Sequence, residues 1–278
     1  MTKRSSIGPV ATLVALALCL SAGATELKQK TAAAFNQYAA ATQARFVDEL
    51  RPGGAFLYVD GLPAAESAHA YEDLKRGEVL VYKLETRDQG REISVPDGII
   101  HHWVGVSFIP GANMAQALAI AQDYDRRAEL YKPEVTVSRT LAHNGDDYKI
   151  FLRLYQKKFT TVMFNTEYDI HWRKFDATRY TSDSISSRVA EVKDPNNPDG
   201  EELPAGKDRG YLWRLNTYWR FQEKDGGVYV QCEVLSLTRD IPTGLGWLLR
   251  PLVTSLPKNS LNRALGRTRE LVLQQPKK

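Results

Sequence analysis

The chain has 278 residues, of which 43% are hydrophobic, 25% charged and 10% aromatic, with 37 basic against 33 acidic side chains. That composition excludes a disordered, collagen-like or disulfide-stapled protein and is ample for a buried core. A net charge of +4 is too weak for a dedicated nucleic-acid binder, which needs a strong basic field to replace the counterions around phosphate.

Residues 1–24 read as a secretory signal peptide: Lys3 and Arg4, an apolar run from Ile7 to Leu20 interrupted only by Thr12, then the small residues Ala22, Gly23 and Ala24 at the cleavage position. The apolar run is short of the roughly 20 residues a membrane-spanning helix needs. Leu16-Ala17-Leu18 before Cys19 lacks the small residue of a lipidation site. Cleavage predicts a periplasmic or secreted protein with 35 basic and 33 acidic residues and one remaining cysteine, Cys232, so no intramolecular disulfide forms. Cys232 falls in an alternating run and reads as a small buried hydrophobe. The five histidines, His69, His101, His102, His143 and His171, show no metal-binding spacing, and the neighbours His101 and His102 point to opposite faces of a strand. No metal or cofactor is expected.

From Leu27 to Leu50, Leu27, Thr31, Ala34, Phe35, Tyr38, Thr42, Phe46 and Leu50 recur every three to four residues, which predicts an amphipathic helix stopped by Pro52-Gly53-Gly54. Residues 55–77 are poorly patterned, and Glu78–Glu85 reads as a strand. Residues 25–95 are therefore expected to form an N-terminal helical extension packed on a main domain of residues 96–275. That domain opens with a strand, His101–Ile109, closed by Pro110-Gly111, and Asn113 with Gln116 predicts a capped helix start. Strand-like runs follow at 135–142, 148–156, 159–172, 179–192, 212–221 and 228–237, the last two joined by the hairpin signal Asp225-Gly226-Gly227. A short helix at Leu245–Leu249 is expected to break at Pro251, with a longer helix after Ser255 carrying Leu261, Ala264, Leu265, Thr268, Leu271 and Val272 on one face. One antiparallel sheet with helices on one face is α+β architecture.

Two groups of segments resemble the START-like, or SRPBCC, superfamily of helix-grip proteins, in particular its exported bacterial members. The first is Asp123-Tyr124-Asp125 followed by Glu129-Leu130-Tyr131-Lys132-Pro133-Glu134-Val135; the second is Asp225–Val230, Ser236–Pro242 and Gly244–Leu248. The resemblance spans about 175 of the 278 residues. It implies a curved antiparallel sheet wrapped around a long C-terminal helix, with a cavity that in relatives holds lipids, sterols, polyketides or other apolar molecules. It implies no activity, since carriers, sensors and enzymes share the scaffold.

Alternation places Trp213, Leu215, Thr217, Trp219 and Phe221 on one expected concave face, opposite Arg214, Asn216, Tyr218 and Arg220. Val162, Phe164, Tyr168, Ile170 and Trp172 form a similar row, and Asn165, Glu167, Asp169 and His171 the solvated one. The ligand-lining residues expected are Val106, Phe108, Tyr124, Val162, Phe164, Tyr168, Arg188, Trp213, Leu215, Trp219, Leu248 and Leu252. Arg139, Arg153, Arg188, Arg239 and Asp240 are the polar groups that could anchor a ligand, with Arg239-Asp240 read first as a tie between the last strand and the last helix. There is no Gly-x-Ser-x-Gly elbow, phosphate loop or dinucleotide fingerprint. The leading expectation is an exported carrier, scavenger or sensor of an apolar small molecule or lipid. The alternatives are a cyclase- or hydratase-type enzyme using a polar cavity residue, and an interaction protein whose cavity is filled by its own side chains. Residues 250–278 carry seven basic residues against Glu270 alone, so weak contact with an anionic membrane surface is a further expectation. The Pro- and Gly-rich stretch 193–210 and the N-terminal extension are both candidates for a lid.

Overall fold

The computed structural model describes residues 27–157, 161–197, 200–240 and 246–276, without the side chains of 246–256. The expected signal peptide lies outside the described residues. The expected first helix is α1, Gln29–Glu49, and it buries Thr31, Phe35, Tyr38, Thr42 and Phe46 of the marked stripe, with Ala39 beside them. A short 3₁₀ turn, Tyr58–Gly61, leads into a helix that the apolar pattern does not reveal, α2, Ala64–Lys75. Only Ala70 and Leu74 of α2 are buried, too few for a periodicity. Its punctuation is nonetheless present: Pro63 precedes it, Glu66 and Lys75 sit at the ends the helix dipole favours, and Gly77 follows at φ 97°.

Ten strands follow: β1 (Leu80–Lys83), β2 (Arg87–Asp88), β3 (Arg91–Glu92), β4 (Gly98–Pro110), β5 (Val135–Asn144), β6 (Asp147–Lys157), β7 (Thr161–Lys174), β8 (Arg179–Glu191), β9 (Arg214–Lys224) and β10 (Gly227–Arg239). Helices α3 (Met114–Ala121) and α4 (Arg127–Leu130) separate β4 from β5, and α5 (Gly246–Leu273) ends the chain. Eight strands form one antiparallel sheet in the order β1-β4-β10-β9-β8-β7-β6-β5, and β2-β3 is a separate small ribbon. The β9–β10 turn places Asp225 at φ 58° and Gly226 at φ 74°, the doubly left-handed turn that a two-residue hairpin prefers. Asn113 Oδ1 accepts from Gln116 N while Gln116 Oε1 accepts from Asn113 N, so the capping box at α3 is complete.

One apolar cluster joins Ile109, Val228, Val230, Phe221, Ile170 and Ile150 to Leu261 and Leu265 of α5. Strands far apart in the sheet therefore meet around one helix, which is the helix-grip α+β arrangement. The expected break at Pro251 is absent: α5 is a single helix through Pro251 and Pro257, each proline costing one backbone bond of a helix propagated on both sides. Among the described residues no helix is long and apolar enough to cross a membrane.

The opposite face of the sheet is covered as well. Phe35, Tyr38, Ala39 and Phe46 of α1 pack on Tyr218, Leu235 and Leu237. Phe56, Leu57, Val59, Ala70 and Leu74 pack on Val106, Phe108 and Tyr229. The helices of the extension, α1 and α2, thus lie on the outer face, while β1 joins the main sheet as an edge strand with Val79 and Val81 against the inner cluster.

Candidate functional site

Register sorts the side chains into two faces. Across β4 and β10, Gly105 pairs with Cys232 and Trp103 with Val234 on the inner face, while Val104 pairs with Glu233 and Val106 with Gln231 on the outer. A Cβ built on Gly105 would lie 2.5 Å from Leu265 Cδ1, so this is where α5 comes down closest on the sheet.

Burial along the inner face is graded. Beneath α3 and the end of α5, Ile109, Val228, Val230, Phe221, Ile170 and Trp172 are buried, and Tyr124 Oη accepts a 2.8 Å hydrogen bond from Trp172 Nε1. Further along the same strands Trp103, Val234, Leu215, Thr217, Trp219 and Leu152 remain partly exposed. Trp219 stacks on Phe221 with ring centroids 6.1 Å apart and donates Nε1 to Thr217 Oγ1 at 3.2 Å, so its plane is fixed before any ligand arrives. Val162, Phe164 and Tyr168 of β7 share this face and are buried, and burial pushes the Tyr168 hydroxyl up to about 12. Small hydroxyls line the neighbouring strand: Ser182, Ser184 and Ser186, the last accepting from Leu215 N at 3.0 Å. His101 and Thr238 add a polar pair, Nε2 to Oγ1 at 3.1 Å. The result is a fixed aromatic and aliphatic surface with a few hydroxyls and one imidazole at its margin, the composition of a site for an apolar ligand with a polar end.

Burial holds the His101 imidazole down to about 4, with the Lys83 ammonium acting in the same direction. Between about 4 and 6.5 the unfolded chain takes a proton here that the folded chain refuses, so stability is expected to fall as pH is lowered through that window, by up to roughly 3 kcal/mol. Urea unfolding at pH 7 and pH 4.5 of the native protein and of His101→Leu checks this, the variant showing the smaller fall.

The outer face holds a different constellation. Tyr38 Oη lies 3.0 Å from His102 Nδ1, and His102 Nε2 lies 2.7 Å from Glu233 Oε1. Arg45 bridges Glu233 and Glu49, and Arg220 Nη2 donates to Glu49 Oε2 at 2.5 Å. Burial pushes the Glu233 carboxyl up, but the His102 hydrogen bond and the charges of Arg45 and Arg220 hold it below the usual range. A Tyr-His-Glu series can move protons in principle. Here all three are buried under α1, and Tyr38 Oη also accepts from Thr86 N at 2.6 Å, which leaves no room for a substrate. The open groove beside it, about 560 Å³, is lined by Arg45, Asp48, Glu49, Arg87 and Asp88 with small alanines and a glycine. This network is a fastening between extension and sheet.

The expected site residues divide accordingly. Leu215 and Trp219 lie on the exposed part of the inner face, Val162, Phe164 and Tyr168 on its buried part, and Tyr124 under Trp172. Val106 and Phe108 point outward instead: in β4 the more apolar row, Val104, Val106 and Phe108, is buried by the extension, and the inner row contains Gly105 and Ser107. Trp213 precedes β9, so strand alternation does not reach it; it packs with Phe35 and Leu237 on the outer side and donates Nε1 to Asp208 at 2.9 Å. Arg188 also faces outward. Glu167 pairs with Arg188 but Tyr168 with Ser186, so a bulge at Ser187 reverses the alternation and sends Arg188 to Glu202 and Glu167. The side chains of Leu248 and Leu252 lie outside the described residues. The row Asn216, Tyr218 and Arg220, expected opposite the buried face, is itself buried beneath the extension.

Trp103, Val234, His101 and Thr238 were not anticipated at the site, although the opposed directions of His101 and His102 already place one imidazole inward. The described part of the stretch 193–210 is tied down at Gly200–Glu202 and Arg209: Asn165 Nδ2 donates to Gly200 O and Glu202 Oε1, and Glu191 accepts from Arg209 N and Nη1. Arg239 N bonds Gly210 O and Asp240 N bonds Asp97 O, so this pair anchors the end of β10. Among the described residues no group of three or more His, Cys, Asp or Glu is placed to hold a metal ion.

No protein-family model and no curated protein matches the chain. Among solved structures, it is similar to a STAR-related lipid transfer protein fragment from Xanthomonas axonopodis, 17% identical over 68% of this chain and 93% of that one, with a TM-score of 0.44. Human STARD10 is 10% identical over 78% and 82%, with a TM-score of 0.45. Zhui aromatase/cyclase from Streptomyces sp. R1128 is 8% identical over 63% and 94%, with a TM-score of 0.42.

Proposed function

We propose that this is an exported protein that binds an apolar small molecule or lipid against the inner face of its sheet, as a carrier, scavenger or sensor. The observation that carries the reading is the partly exposed stretch Trp103, Leu215, Trp219 and Val234, an apolar surface facing the same side as α5. Twelve buried methylenes contribute roughly 10 kcal/mol at about 0.8 each, and association costs of roughly 4–15 kcal/mol leave affinities in the micromolar range. We read contact with anionic headgroups as weak. Arg263 is paired with Glu134 and Arg267 with Glu270, so part of the basic charge of α5 is already compensated.

Native mass spectra of the protein purified from the periplasm, followed by solvent extraction, test the reading: a stoichiometric apolar adduct is expected. A bare mass that stays bare after incubation with mixed lipids would overturn it. The indole emission of Trp219 is expected to shift on binding, and Trp219→Ala to weaken binding by about tenfold, or about 1.4 kcal/mol, as the loss of a fixed aromatic anchor does. Trp213→Phe, on the other side of the sheet, is expected to leave binding unchanged.

A further inference from the structure

The hydrogen bonding of His101, the imidazole beside the exposed apolar surface, turns on one hydroxyl. Thr238 Oγ1 has two neighbours for its single proton, the Arg239 carbonyl at 3.2 Å and His101 Nε2 at 3.1 Å; given to the carbonyl, which can only accept, it leaves Oγ1 to accept from Nε2. In that arrangement His101 Nε2 carries the ring proton and Nδ1 keeps a bare lone pair. The ring is neutral at ordinary pH because burial opposes its protonation. No described residue donates to Nδ1, whereas His102, on the outer face, has partners on both nitrogens. His101 is paired with Ser236 and adjoins, two residues along each strand, Trp103 and Val234 of the exposed apolar surface.

We propose that His101 Nδ1 is the polar anchor of this site and selects apolar ligands that end in a hydroxyl group, such as long-chain alcohols, sterols or monoacylglycerols, over carboxylates and pure hydrocarbons. The inference rests on the apolar-ligand reading above and adds the substrate class. A hydroxyl supplies the proton that Nδ1 lacks. An ether or hydrocarbon of the same length leaves the nitrogen desolvated without a donor, and a carboxylate brings negative charge against a lone pair. Lys83 stands across from Trp103 on the edge strand, a cation toward which a carboxylate could turn, and for that reason the test includes an acid.

Displacement of bound Nile red by 1-dodecanol, dodecyl methyl ether and dodecanoate reads the preference directly, using the full mature chain. The expected result is dodecanol binding about tenfold tighter than the ether, the effect of one buried hydrogen bond, with dodecanoate no better than the ether. In His101→Leu the ratio of dodecanol to ether affinity is expected to fall to about one. Thr238→Val removes the acceptor that fixes the tautomer and is expected to reduce the preference without abolishing it, which gives a second measurement if the first variant does not fold. Equal affinity of the native protein for alcohol and ether, tighter binding of dodecanoate, or a preference that survives both substitutions would overturn the assignment. Failure of Nile red and all three probes to bind the native protein would instead overturn the apolar-ligand reading, and this inference with it.

Discussion

Replacing Arg220 with methionine is expected to lower stability by about 3–5 kcal/mol, the cost of removing one partner from a buried ion network. Its guanidinium is fully buried in β9, donates to the Ala55 and Phe56 carbonyls at 3.2 and 2.7 Å and to Glu49, and lies 4.0 Å over the Phe46 ring. Methionine can fill the volume and keep the ring contact. It cannot supply the three hydrogen bonds, and two buried carbonyls are left without a donor. Lysine is expected to rescue little, because one ammonium cannot reach three acceptors in the planar arrangement of a guanidinium. Urea unfolding measures the loss, and limited proteolysis should show first cleavage moving into residues 27–77. A change below about 1 kcal/mol would mean the network is incidental to holding the extension.

The second large effect concerns the closest approach of α5 to the sheet. Gly105→Ala is expected to destabilise by about 1–3 kcal/mol, the usual cost of overpacking, since the new methyl would lie 2.5 Å from Leu265 Cδ1 and 3.0 Å from Leu261 Cγ. Leu265→Ala alone is expected to cost about 2–5 kcal/mol as a buried leucine truncation. Combined, the two should cost less than their sum, because the methyl at 105 enters the space the leucine side chain vacated. Thermal unfolding of the four proteins closes this cycle. Strict additivity would place the helix further from β4 than the described contacts do.

Much of the architecture is legible in the sequence because it is written in periodicity. The stripe Thr31, Phe35, Tyr38, Thr42, Phe46 is α1, and the hairpin residues Asp225 and Gly226 are the turn between the last two strands. What alternation cannot say is which of two rows faces which layer when both faces are buried. Val106 and Phe108 belong to the more apolar row of β4 and would line the inner face of a sheet with one buried side. The extension, poorly patterned between residues 55 and 77, claims them for the outer side. Arg188 was misplaced by a single bulge residue, Ser187, which no hydrophobic pattern marks. Leu215 and Trp219 follow the simple alternation because β9 is regular through Arg214–Lys224.

The fastening of extension to sheet also has a temporal side. Arg45 reaches Glu233 across 188 residues, and Glu49 reaches Arg220 across 171. The charged groups that α1 needs are supplied by the last two strands, so the first helix of the described chain cannot take its final place until nearly the whole polypeptide is available. Closing loops of that length costs entropy before any contact repays it. Docking of α1 is therefore expected to come late in folding, after the last two strands have formed.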